Sequence, residues 1–538
     1  AKIVRHTFEV AYFNGSPDGI HKDKILGING QSPGPTIEAD VGDTLEITLI
    51  NSIQDGQNTT IHWHGIHQKG SIFEDGTSQI SQCPLPTGES QLYRFNVTQA
   101  GTFWYHSHVN SQYTEGMFGV LLVHGKPEAY QYDGELTIAL IPPYPDSGLI
   151  NGIGRYPCPY AALQKRECNT AFQMRPVFQL QREKTYRLRL LNAGAVAAYN
   201  FSIDDHKLRA IEVDGIDVRT PVEANIVPIA AGQRYSFLVR CNNDSFNGSR
   251  HLIRANLRKE SLMLIDGWNI NEYPEALMAD VTAVLECVDQ DLGLYQHRAV
   301  VSREPFTCDD IVPPRPITDD IVYLDEMALS PLDGIPAPDH VDEEFTVASV
   351  FFEDHENIRR GAFNYTPFKL PNDKPLLMKL IDGETIPDAY PLKIDIGSVV
   401  QLVINNPFFG PHPFHLHGHH FWILGTGEWY DGEYDSSKHN LTLNGVKRDT
   451  VVVQEQSWAV IRFIADSPGL WTFHCHIDWH NLSGMALTFV EGVDLIRQMK
   501  VPEEAQRVCN LHSRGPNQFT QQDNSTKYIS SKHHQVHR

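Results

Sequence analysis

The chain has 538 residues, a formal net charge of −22 at pH 7 and a hydrophobic content of 41%. That length exceeds what one hydrophobic core supports and suits about three domains. The acidity argues against nucleic acid or an acidic membrane as a partner, since both call for a basic face, and no apolar run is long enough to cross a bilayer, so a soluble protein is expected.

The chain starts at Ala1 with neither a Met nor a signal peptide, as a processed secreted protein would. Asn-x-Ser/Thr sequons at Asn58, Asn96, Asn200, Asn243, Asn247, Asn364, Asn440, Asn481 and Asn524 suit a secreted, extracellular glycoprotein, free or held at a cell wall. Asn481 is the one expected to stay unmodified, because it sits inside the metal loop described below. Eight cysteines are present. In an oxidising compartment we expect the pairs Cys83–Cys509, Cys158–Cys168 and Cys287–Cys308 with Cys241 free, although sequence alone does not fix connectivity.

Short β-rich segments recur along the chain, separated by Gly, Pro, Asn and Asp, and two phrases appear three times. Val41–Asn51 returns as Glu183–Asn192 and as Ile396–Asn405. Each alternates apolar and polar residues and ends in Asn, as a half-buried strand entering a turn should. Ser90–Phe95 is echoed by Gln233–Phe237 and Ser457–Phe463, and in the first and last copies Ala100–His108 and Ser467–His476 follow. Repeats this far apart predict three copies of one β-domain rather than a solenoid, and all-β domains of this size are usually sandwiches. The expected limits are 1–126, 127–305 and 306–538. The last begins with a Pro- and Asp-rich linker, and the polar tail after Cys509 reads as a surface strap whose histidines need not bind metal.

The richest stretch runs from His474 to Met485 and contains three histidines, one cysteine and one methionine in twelve residues. Two imidazoles, a thiolate and a weak axial thioether are the donors a blue copper site wants. On a strand, side chains alternate faces, so Cys475 points one way and His474 and His476 the other. A copper at Cys475 and a second metal site on the histidines would then sit on the order of 10 Å apart, joined by the peptide. A zinc site, or a core Cys beside surface histidines, is the plainer alternative. Three more pairs weigh against it: His62-Trp63-His64, His106-Ser107-His108 and His415-Leu416-His417, the last within His412–Gly418. Each pair would present both rings on one strand face. Neutral imidazole suits Cu, Zn, Fe and Ni alike, and the Cys loop tips the choice to copper.

These four motifs resemble those of the multicopper oxidases, specifically three-domain fungal laccases and ascorbate oxidases, over nearly the whole chain. The resemblance implies an all-β chain of three consecutive cupredoxin-like Greek-key sandwiches. It also implies four copper ions. His412, Cys475 and His480 would bind type 1, with Met485 as axial ligand. His62 and His415 would bind type 2. His64, His106 and His476 would hold one type 3 ion, and His108, His417 and His474 the other. The middle domain would be a copper-free wall of the substrate cleft. Asp75 and Asp478 match proton-carrying carboxylates near the cluster, though Asp75 equally suits a turn before Gly76.

The resemblance implies an enzyme that oxidises phenols, aminophenols and other small aromatics and reduces O2 to water; a monomer is expected, although the sequence does not fix the oligomeric state. A ferroxidase or an ascorbate oxidase is the alternative within the family, and a non-catalytic copper electron carrier the alternative outside it. Met485 predicts a lower type 1 potential than in relatives with Leu or Phe there. No acid stands near Val196, where phenol oxidases often carry one. His251 could accept the phenolic proton instead, although a lone His on a strand is more often structural. Pro407–Pro411 is apolar, a poor Fe(II) site but a plausible wall for an aromatic ring, with Phe408 in it. The sequence ends differently from the laccase branch that carries an Asp-Ser-Gly-Leu plug, so no such plug is expected.

Overall fold

The structure is a computed structural model. It describes residues 1–513 apart from 126, 142–146, 157, 164, 242–249, 263–279, 290–299 and 307–319. The described strands form six sheets. In the first pair, a sheet of Lys22–Ile28, Ile3–Gly15, Thr44–Asn51 and Ser90–Asn96 faces one of Ile37–Asp40, Phe118–His124, Gly101–His106 and His62–His64. The middle of the chain supplies an eight-stranded and a six-stranded sheet. The last part supplies a six-stranded sheet and a five-stranded one ordered Pro391–Ile394, Ala486–Glu491, Gly469–Cys475, His412–Leu416, Thr450–Val453.

The apolar–polar alternation read in Thr44–Asn51 and Ser90–Asn96 is the observed burial, with every second side chain inside. Phe8, Leu45, Leu49, Tyr93 and Phe95 from one sheet meet Ile37, Trp63, Phe103, Tyr105 and Leu121 from the other in one core. Val399–Asn406 and Gly469–Cys475 are instead buried on both faces, as central strands covered on each side should be.

The chain forms two compact units. One comprises Ala1–Tyr12, Leu26–His124 and the residues from Ile335 onward; the other comprises Phe13–Ile25 and Gly125–Gly334. The first unit therefore holds the first and last pairs of sheets. A helix at Glu503–His512 ties these ends of the sequence together. Glu504 Oε1 accepts the Leu92 amide at 3.0 Å, Val508 enters the first core, and Cys509 is disulfide-bonded to Cys83 across 426 residues of sequence. The strap thus begins as an ordered helix, while the terminal histidines and any plug lie outside the described residues.

Cys158 bonds Cys168 as expected, but Cys241 is not free: it bonds Cys287. Cys241 follows the strand Arg234–Arg240 and Cys287 lies in Asp280–Val288. Their Cα atoms are 5.7 Å apart, inside the range a disulfide spans. Cys308, the expected partner of Cys287, lies outside the described residues; the two strands bring in Cys241 instead. Among the described residues no helix is long and apolar enough to cross a membrane.

Candidate metal centre

Strand pairing places the histidines. His62 lies opposite His106 and Trp63 opposite Tyr105, and His415 lies opposite His474 and Phe414 opposite Cys475. Because side chains alternate, Trp63 and Tyr105 fill the first core while His62 and His106 point to the other face. The last pair of sheets does the same, so His474 and His476 leave their strand on one side and Cys475 on the other.

Four groups of side chains result, each with donor atoms within 4.8 Å of one another: His412, Cys475 and His480; His62, His64 and His415; His64, His106 and His476; and His108, His417 and His474. Asp75 joins His62 and His417 in a fifth. All lie in the first unit. Eight histidines thus converge from its two pairs of sheets, with His62 stacked on His417 at 4.0 Å and His64 on His415 at 3.7 Å between ring centroids.

The hydrogen bonds fix which ring nitrogen faces inward. Nδ1 of His62 donates to the Asp75 carbonyl at 2.8 Å, His106 to the Ser107 carbonyl at 2.9 Å, His474 to the Cys475 carbonyl at 3.0 Å and His415 to the Asp449 carbonyl at 3.0 Å. His417 Nδ1 donates to Asp75 Oδ2 at 3.0 Å. Each of these leaves Nε2 as a lone pair aimed inward, the arrangement metal-binding imidazoles adopt. Among the described residues, Nε2 of His62, His106 and His415 has no hydrogen-bond partner although it is buried. His64 is reversed: Nε2 meets Asp449 Oδ1 at 3.3 Å and Nδ1 faces His476 Nε2 at 3.3 Å. Burial, reinforced by neighbouring imidazoles, holds His106, His417, His474 and His476 well below the usual range. Neutral imidazoles with inward lone pairs suit a cation that no protein group replaces.

The other group is sulfur-centred. Cys475 Sγ is 3.5 Å from His412 Nδ1 and 3.6 Å from His480 Nδ1. Burial raises the Cys475 thiol and pushes His412 down to about 3, so with no cation present these two donors would be neutral. Cys475 is the free cysteine among the described residues, and it is buried. Two imidazole nitrogens and a thiolate sulfur are a copper donor set. The helix Asp478–Ser483 supplies His480 and stops at Gly484, whose φ of 114° favours glycine and where a Cβ would lie 2.8 Å from the Gly361 carbonyl oxygen. The chain then turns Met485 inward: it is fully buried, its carbonyl accepts the Cys475 amide at 3.1 Å and its amide donates to the His480 carbonyl at 3.0 Å.

Asp75 both makes the turn and serves the histidines. It closes the short turn Ile72–Glu74 before Gly76, where a Cβ would strike the Ile61 carbonyl. Its Oδ2 also accepts from Thr77. Burial would raise its carboxyl, but His417 and His62 outweigh that and hold it well below the usual range. Asp478 lies on a cavity of about 380 Å³ that also exposes His106, His108, His474 and His476. Its Oδ2 accepts from Thr114 Oγ1 at 3.0 Å, and burial pushes its carboxyl up to about 7.

Phe408 is half-buried, with its ring 6.3 Å from that of Phe351, which meets His480 edge-on at 4.7 Å. His251 lies in the second unit. It is buried on the strand Arg250–Leu257, with Nδ1 3.2 Å from Asp205 Oδ2 and its ring edge-on to His206 at 4.6 Å. Sequence reasoning missed Asp449, which serves two histidines at once. It lies in Lys447-Arg448-Asp449-Thr450, and the one available signal was a charged pair entering an otherwise apolar strand.

A fold of paired β-sheets carrying one group of a cysteine with two histidines, and beside it an eight-histidine cluster, defines a copper oxidoreductase. The sequence comparisons agree: three models described as multicopper oxidase match residues 9–128, 92–265 and 354–494. An iron transport multicopper oxidase of Gibberella zeae is 34% identical, with 96% of this chain and 81% of the relative covered. An L-ascorbate oxidase of Nicotiana tabacum is 30% identical, with 95% and 93% covered. The crystal structure of a laccase from Botrytis aclada is 28% identical, with a TM-score of 0.78 and 98% and 95% covered. The chain belongs to the multicopper oxidase family, is built of three cupredoxin-like domains and takes four copper ions, one of type 1, one of type 2 and two of type 3.

Proposed function

We propose that this multicopper oxidase is laccase-like, taking electrons from phenols, aminophenols and other small aromatics. The observation that carries the reading is the aromatic rim of the sulfur-centred group. Phe351 packs against His480, Phe408 packs against Phe351, and the Arg359 guanidinium lies over the Phe351 ring at 5.3 Å. Two carboxylates nearby, Asp354 and Glu455, are committed to structure. Asp354 accepts Arg360 Nε at 2.8 Å and closes its own turn, and the buried Glu455 accepts the Gly410 amide at 2.8 Å. An aromatic rim with a guanidinium beside it suits an aromatic ring better than a metal cation.

His412, Cys475 and His480, with Met485 beside them, would hold type 1. His62 and His415 would hold type 2, and the triads His64, His106, His476 and His108, His417, His474 would hold type 3. Bound copper supplies one-electron oxidation of the donor at type 1 and four-electron reduction of O2 to water at the cluster. The chain supplies the rest. Cys475 and its neighbours His474 and His476 join the two sites by consecutive residues. Asp75 holds His62 and His417 in their tautomers, and Asp478 holds a proton beside the cavity. We also propose a secreted protein, from the sequons and three disulfides.

A ferroxidase is the second reading, favoured by the iron transport relatives. Oxygen uptake by the copper-loaded enzyme with a methoxyphenol, an aminophenol, ascorbate and Fe(II) separates them. Fast uptake with the aromatics and slow uptake with Fe(II) is the expected result. Fast uptake with Fe(II) alone would overturn the laccase-like reading.

A further inference from the structure

We propose that His67 and His420 are positioning residues for the trinuclear centre, acting through Asp449 on His64 and His415. The inference rests on the assignment of those two histidines as copper ligands. It does not depend on which donor the enzyme uses.

The chain of contacts starts at a half-buried position. His67 follows the strand His62–His64, in a turn held on both sides by Gln99: the His67 amide donates to Gln99 Oε1 at 2.8 Å and Gln99 Nε2 donates to the Gly65 carbonyl at 3.0 Å. The His67 ring meets the buried His420 ring, with Nε2 and Nδ1 2.6 Å apart. His420 Nε2 is 3.8 Å from Asp449 Oδ2, an ion-pair rather than a hydrogen-bond distance. Asp449 is buried. Its Oδ1 faces His64 Nε2 at 3.3 Å and accepts Thr450 Oγ1 at 2.9 Å, while its carbonyl takes His415 Nδ1 at 3.0 Å.

The hydrogens in this chain run in one direction. Asp449 can only accept when ionised, so it calls for N–H on His420 Nε2 and on His64 Nε2. His420 Nδ1 is then an acceptor, and the N–H across the 2.6 Å contact belongs to His67 Nε2. That order leaves His64 Nδ1 as the lone pair facing His476, which is the polarity a ligand needs. Burial and the neighbouring His420, His419 and Lys447 hold His67 well below the usual range, so the ring is the neutral donor this order requires. Asp75 serves His62 and His417 with a single carboxylate and a threonine, Thr77. The Asp449 side reaches further out, through two imidazoles to residues three positions beyond the metal-binding pairs.

His420→Gln, His420→Asn, His420→Leu and His67→Leu test the inference in the full copper-loaded chain. Gln keeps a donor toward Asp449, Asn keeps a group toward His67, and Leu keeps neither. The measurements are copper retained per chain after dialysis against a chelator, the type 2 electron paramagnetic resonance spectrum, and single-turnover reoxidation by O2 of chemically reduced enzyme. His420→Leu is expected to alter the type 2 spectrum and to weaken cluster copper retention about 10–100-fold, the usual cost of losing a partner behind a ligand. Reoxidation should slow while the type 1 spectrum is unchanged. His420→Gln should restore most of the loss, His420→Asn little of it, and His67→Leu should give a smaller version of the same change. An unaltered type 2 spectrum and copper retention in His420→Leu would overturn the inference, as would a Gln variant as defective as the Leu variant. If His420→Leu fails to fold, an unaltered His67→Leu overturns it equally.

Discussion

The Cys475 group and the eight-histidine group differ in how much of the chain must meet to build them. His412, Cys475 and His480 come from one pair of sheets, and Cys475 and His480 are five residues apart on one strand–helix connection. The cluster takes His62, His64, His106 and His108 from the first pair of sheets and His415, His417, His474 and His476 from the last. Type 1 geometry is thus set by local backbone, with Gly484 as its corner. Cluster geometry is set by docking, held by the Glu503–His512 helix and by Asp75 and Asp449, which each serve two histidines. Damage to the docking should spare type 1, and damage to the corner should spare the cluster.

The largest expected break of that comparison is His64→Ala. It removes a proposed ligand and one imidazole partner of Asp449, so oxygen reduction should fall by more than ~100-fold. The type 1 spectrum should persist and still bleach on anaerobic addition of a donor. Loss of both signals would mean the two sites are not built separately.

Replacing Cys83 and Cys509 together by Ser should cost about 2–5 kcal/mol of stability, because the bridge closes a very long loop. In a denaturant titration followed by copper release, the cluster ions should leave before type 1. Simultaneous release would contradict docking as the cluster's weak point.

Gly484→Ala should cost about 1–3 kcal/mol, from a strained positive φ and a close contact with the Gly361 carbonyl. The type 1 spectrum should shift with Met485 and His480 while cluster copper is retained, which optical and copper analysis of one sample would check.

The smallest effect concerns Glu74, beside the strap. Burial raises its carboxyl to about 7, against a backbone bond from Arg94 and with help from Glu504. A raised pKa means the folded state favours the protonated form. That contribution is full below the ordinary carboxylate pKa and is lost as pH rises through about 7. Glu74→Gln should therefore stabilise the protein by about 1–2 kcal/mol at pH 8 and change little at pH 4, in thermal melts at both.

The sequence was most legible where residues carry chemistry at short range. His-x-His on a strand forces both rings to one face, and Cys475 between His474 and His476 forces the sulfur to the other; the structure has both. Two strand phrases, each appearing three times, were enough to expect three sandwiches. What escaped depends on distant approach. Asp449 serves His64 from 385 residues away, and only folding brings them together. The partner of Cys241 escaped for the same reason: Cys287 and Cys308 are close in sequence, but two strands bring Cys241 within reach of Cys287. Asp75 looked equally like a turn residue and a proton carrier; it closes a turn and also accepts from His417.

The most direct test of two separately built sites joined at Cys475 is copper analysis with electron paramagnetic resonance on the wild type and on Cys475→Ser. The account predicts about four copper ions per chain in the wild type and about three in the variant. The type 2 signal should be intact, the type 1 signal gone, and oxygen uptake abolished with aromatic donors and Fe(II) alike. A variant that keeps four ions or still turns over would contradict it, as would one that loses the type 2 signal together with type 1.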